Sequence, residues 1–210
     1  MAAARHFEVF VEEESAEAVL SNILPAILVN ATFEIHVFQG KPDLLHNLPA
    51  RFRGYHGWLP DDWRIVVLLD ADEQDCLRPK GMLEAIAQQA GLLTRAQVAP
   101  GMPFQVINRL AVEELEAWFF GDGEAIHAAF PRVSASIGHQ RSYRHPDAIR
   151  GGTWEALHRV LQRAGYYQGL ARLPKIEVAL KISRHMEPSR NRSQSFQTFY
   201  RGLRDLVEAQ

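Results

Sequence analysis

The chain has 210 residues, 47% of them hydrophobic and 23% charged, with a formal net charge of −2. That length suits one globular domain, or one domain with an extension. No apolar run approaches the ~20 residues that span a bilayer. The start Met1-Ala2-Ala3-Ala4-Arg5 lacks the apolar stretch of a signal peptide. Cys76 is the only cysteine, which excludes an internal disulfide and a cysteine-built zinc site. A reducing cytoplasm is the expected compartment.

In chain order, Phe7–Val11 (FEVFV) is a short β-prone run, followed by Ser15 as the expected N-cap of a helix carrying Ala18, Val19, Ile23 and Ile27. Phe33–Phe38 alternates as a strand should. Gln39-Gly40-Lys41-Pro42 then starts a helix running toward Arg53. Ile65–Leu69 is the clearest strand, because five consecutive large apolar residues suit a central strand covered on both faces. It ends in Asp70-Ala71-Asp72-Glu73. A helix over 78–90, a strand over Phe104–Ile107 and a helix over Val112–Phe120 follow. Alternating strands and helices predict an α/β fold with a mainly parallel sheet flanked by helices. Beyond Pro131 only helices are expected, near 153–164, 174–186 and 195–208. The expected division is therefore an α/β core over 1–130 and a basic helical extension over 131–210 packed on it. Charge follows the same division: 1–130 holds 9 Lys/Arg against 19 Asp/Glu, and 131–210 holds 14 against 6. Such an asymmetry suits a metal in the acidic part and a polyanion at the basic part, or simply mutual attraction of the two.

In parallel sheets functional groups collect where loops leave the carboxyl ends of strands. Two expected strands end there in carboxylates, one at Glu12-Glu13-Glu14 and one at Asp70-x-Asp72. Asp70 and Asp72 fall on one side of an extended chain and offer hard oxygen ligands for Mg²⁺ or Mn²⁺. Glu12 is a further ligand or a general acid/base. Glu113 and Glu116 are three apart on the expected helix, Glu113 reading as a solvated residue and Glu116 as a candidate metal ligand. Lys41 at a helix start, Arg109, and Lys181, Arg184 and Arg190 in the basic part are candidates for phosphate or nucleic-acid contact.

VEEES at 11–15 followed by LLDADEQDC at 68–76 resembles the Toprim (topoisomerase–primase) fold, which is Rossmann-like. FQGKPDLL at 38–45, INRLAVEELEAWFFGD at 107–122, HPDAIRGGTWEAL at 145–157 and RNRSQSFQTFYRGL at 190–203 are more specific. They resemble a stand-alone bacterial Toprim-like family of unknown function, related to OLD-type nucleases, along essentially the whole chain. The resemblance implies Glu12 as general acid/base and Asp70 and Asp72 as the Mg²⁺-binding pair. It implies cleavage of nucleic-acid phosphodiesters, and, by analogy with OLD-type members, phage defence beside an ATPase partner. Toprim domains usually carry glycine after the catalytic glutamate, where this chain has Glu13. Two alternatives stand: a non-catalytic Toprim-like partner of an ATPase, and a HAD-like phosphatase in which Asp70 attacks and Asp72 protonates the leaving group. The HAD pattern normally has Thr or Val where this chain has Gln74.

Overall fold

A computed structural model of the chain describes residues 3–71 and 77–208. Four strands, β1 (His6–Val11), β2 (Thr32–Val37), β3 (Trp63–Asp70) and β4 (Val106–Ala111), form one parallel sheet in the order β2-β1-β3-β4. The apolar run of β3 explains its interior position. Val66 and Leu68 enter the larger core beneath the C-terminal helices, while Ile65, Val67 and Leu69 enter a smaller one. That smaller core lies under α2 (Lys41–His56) and α3 (Leu77–Gln89). β1 alternates between them, with Phe7, Val9 and Val11 on the first side and Phe10 on the second.

β4 begins later than the expected Phe104–Ile107 and runs to Ala111. It is an edge strand, so its interior tolerates Asn108 and Arg109, which mask the pattern in the sequence. Asn108 donates through Nδ2 to Glu84 Oε1 of α3 at 3.0 Å, tying the edge down.

The first helix, α1 (Glu14–Ile27), differs from expectation at its start. Glu13, not Ser15, is the N-cap; Ser15 lies in the first turn and its hydroxyl donates to Glu13 Oε1 at 2.5 Å. The helix expected over Val112–Phe120 is also shorter, since α4 spans only Ala117–Gly121. Glu113 takes a left-handed conformation (φ 63°), which a helix cannot propagate through. A further helix, α5 (Gly123–Ala129), follows, capped by the Asp122 carboxylate, which accepts from Ala125 N at 3.2 Å.

The remaining helices are α6 (Thr153–Arg163), α7 (Lys175–Ser183) and α8 (Gln194–Val207). α7 lies on α1, where Asn22 Nδ2 donates to Ser183 Oγ at 2.8 Å. α8 lies on β4 and buries Phe196, Phe199 and Leu203 as its spacing requires. Trp118 stacks edge-on against Phe196 at 5.0 Å, with its indole N–H donating to Ser195 Oγ at 3.0 Å. No helix among the described residues is long and apolar enough to cross a membrane.

Candidate metal centre at the strand ends

The sheet order creates a crevice before any side chain is considered. From β1 the chain moves outward to β2, and from β3 it moves the other way to β4, so the loops after β1 and β3 diverge. Ligands of doubly wound sheets bind where strand order reverses in this manner. Glu12 follows β1 and Asp70 closes β3 on either side of that point. The Asp70 backbone N–H donates to Glu12 Oε1 at 2.6 Å, so the Glu12 side chain bridges the two strand ends.

Three further segments converge there. Gly40 (φ 92°) donates its N–H to the Glu12 carbonyl at 2.7 Å, holding the first turn of α2, with Lys41 at its head, beside β1. From the turn after β4 comes Glu116, 2% exposed and at the N-cap of α4. Its neighbour Glu114 accepts from Thr153 Oγ1 and Trp154 N, both at 2.9 Å, and so satisfies the start of α6. From α7 comes Lys175, whose ammonium lies 3.4 Å from Glu13 Oε1 and 5.1 Å from the centre of the Trp154 ring.

The electrostatics are dominated by crowded negative charge. Burial pushes the Asp70 carboxyl well above the usual range, and Glu116, Glu12 and Glu13 push the same way against Lys175. Burial likewise raises Glu116 to about 7, although Lys175 opposes it. Burial disfavours the Lys175 ammonium, but Glu116, Glu13, Glu114 and Asp70 together overcome this and raise its pKa. One lysine is too little cation for these acids. Hard carboxylate oxygens held together in this way are the donor set a divalent cation takes up.

Of the residues expected to form the site, Glu12, Asp70 and Glu116 come together electrostatically, with Lys41 close in the chain to the Glu12-bound turn. Asp72 lies outside the described residues, as do Glu73, Gln74 and Cys76. Glu113 and Glu116 do not share a helix face; both lie in the turn before α4, which is what turns Glu116 inward.

The other expected cations are elsewhere. Arg109 points from β4 into a cleft of about 580 Å³ shared with Arg95, Phe104 and Arg201. Burial, with Arg95 adding to it, lowers its pKa to about 10. Lys181 pairs with Glu177 at 2.6 Å on the surface of α7, and Arg184 is exposed at the end of that helix. Arg190 grips the buried Asp122 with two hydrogen bonds, at 2.8 and 2.9 Å, and reaches Glu124 at 3.0 Å. Its guanidinium closes the α4–α5 corner. Lys175 also belongs to the site, and in the sequence it is only one of the 14 Lys/Arg residues over 131–210. It is 162 residues from Glu13, and no local pattern links them.

A four-stranded parallel sheet in this order, flanked by helices, defines an α/β fold of the Toprim/Rossmann-like kind. The family model described as a domain of unknown function (DUF4276) matches residues 11–204, and the chain belongs to that family. Among solved structures the chain is similar to the C-terminal region of the Burkholderia pseudomallei OLD protein, at 14% identity and a TM-score of 0.50. That match covers 96% of this chain and 98% of the other. The C-terminal region of the Xanthomonas campestris pv. campestris OLD protein is similar at 16% identity and a TM-score of 0.41, covering 97% and 94%. No curated protein matches the chain.

Proposed function

We propose that this protein is a Mg²⁺- or Mn²⁺-dependent phosphodiesterase that cleaves nucleic acid. The observation that carries the reading is the Glu12 carboxylate anchored on the Asp70 amide at the strand-order reversal, among acids whose ionisation burial suppresses. Asp70 and Glu116, with Asp72, would hold the ion. The ion would neutralise a scissile phosphate and acidify a bound water. Glu12, fixed by the Asp70 N–H, is the group assigned to proton transfer. Lys41, at the head of α2, adds a cation to a helix start that already favours anions. Arg109 and the exposed cations of α7 are the proposed contacts for the rest of a polyanion. Phage defence with an ATPase partner is the biological setting we assign, by likeness to the OLD architecture.

The test is cleavage of DNA and RNA by the purified chain with Mg²⁺ or Mn²⁺. Asp70→Ala should abolish metal-dependent cleavage while preserving the fold, and unchanged cleavage refutes the assignment. One observation favours a non-catalytic binding module: Glu13 stands where Toprim domains usually have glycine, and it engages Lys175. Absence of Mn²⁺ binding would select that reading. Turnover of a small phosphate ester without nucleic-acid cleavage would select a HAD-like phosphatase.

A further inference from the structure

A second group of potential ligands lies on the other half of β1, on the face toward α2. Parallel register sets Glu8 of β1 directly opposite Glu34 of β2, and Phe10 opposite His36. Ligand atoms of Glu8, Glu34 and His36 all lie within 4.8 Å of one another. Glu8 is 4% exposed, whereas Glu34 faces solvent. Like charges directly opposite on neighbouring strands repel, and no lysine or arginine among the described residues pairs with either carboxylate.

His6 adds a second imidazole beside the same carboxylate. Its Nδ1 lies 2.7 Å from the Thr32 hydroxyl oxygen, and its Nε2 lies 3.3 Å from Glu8 Oε1. On the other side, His36 Nε2 contacts Glu8 Oε2. Glu8 thus sits between two imidazole nitrogens and the Tyr55 hydroxyl, with the Glu34 carboxylate opposite and oxygen and nitrogen donors of three residues close together.

We propose that Glu8, Glu34 and His36 form a binding site for a borderline transition-metal ion of the Zn²⁺ class. Imidazole with carboxylate selects such ions over Mg²⁺, which distinguishes this site from the all-oxygen one at the strand ends. Glu8 precedes Glu12 by four residues, about 13 Å along a strand at ~3.3 Å per residue. The ion would staple the edge strand β2 to β1.

The test uses the full chain carrying Asp70→Asn, so that the strand-end site is disabled, with Zn²⁺ and Co²⁺ as probes. One equivalent should bind, and Co²⁺ should give visible absorption bands of mixed nitrogen–oxygen coordination. Adding Glu34→Gln, at an exposed position that leaves the fold intact, or His36→Gln should weaken binding at least ~10-fold and remove those bands. Absence of binding to Asp70→Asn, or equal binding by the Glu34→Gln and His36→Gln variants, overturns the site. Either result assigns the cluster to shared protons alone.

Discussion

Replacing Glu116 by glutamine gives the sharpest test of the crowded acids. The native carboxyl holds its proton up to about pH 7, while the reference carboxyl ionises at 4.5. The native state therefore binds the proton more tightly than the unfolded chain does. Its contribution to stability is complete below about pH 4.5, falls as pH rises and is fully lost above about pH 7. The gap between the two values is worth about 3 kcal/mol at ~1.4 kcal/mol per pH unit. For a protein of this size that corresponds to a fall in Tm of roughly 6 to 12 °C. Asp70 contributes a slope of the same sign that survives in Glu116→Gln, so the quantity of interest is the difference between the two proteins. Urea unfolding at intervals from pH 4.5 to 8.5 should show wild type losing about 3 kcal/mol more than the variant. Saturating Mg²⁺ should return most of that difference at pH 8, because ion binding replaces the lost proton. Parallel stability curves for the two proteins would refute the argument that burial holds Glu116 protonated.

Lys175→Met removes a cation that opposes this effect, so the Glu116 midpoint should climb above about 7, measured by NMR titration; an unmoved midpoint contradicts the assigned contact. Asp147 accepts hydrogen bonds from the Ser193 and Ser195 hydroxyls and from the Gln194 and Ser195 amides at the start of α8. Asp147→Ala should therefore cost about 2 kcal/mol in denaturant unfolding. Arg190→Ala leaves the buried Asp122 carboxylate without its main partner. Discounted for the partial exposure of Arg190, the loss should be about 2 kcal/mol, with no change in Mn²⁺ affinity.

The parts of the fold written plainly in the sequence are those decided by local pattern. Ile65–Leu69 could only be an interior strand, and Phe196, Phe199 and Leu203 could only be an inward helix face. Glu12 and Asp70 stood out because a buried strand that ends in an acid must place that acid at the sheet's rim. Where neighbours in space decide, the pattern misleads. β4 carries Asn108 and Arg109 because it is an edge strand lying under α8. Glu116 is buried because the left-handed turn at Glu113 stops a helix that composition favours. The β1–β2 cluster was hidden for a related reason: His6 and Glu8, and Glu34 and His36, follow the two-residue period of a strand, but only register sets Glu8 opposite Glu34 and gathers the four on one face.

The reach of Lys175 into the strand-end site has a consequence for synthesis. The acids arrive first, with residues 12, 70 and 116, whereas the ammonium that tempers them sits on α7. A chain emerging from the ribosome must carry its buried carboxyls protonated or solvated until residue 175 has emerged and α7 has docked on α1. The assembled constellation thus belongs to the late-folding state, and nascent fragments ending before α7 should bind Mn²⁺ differently from the finished protein.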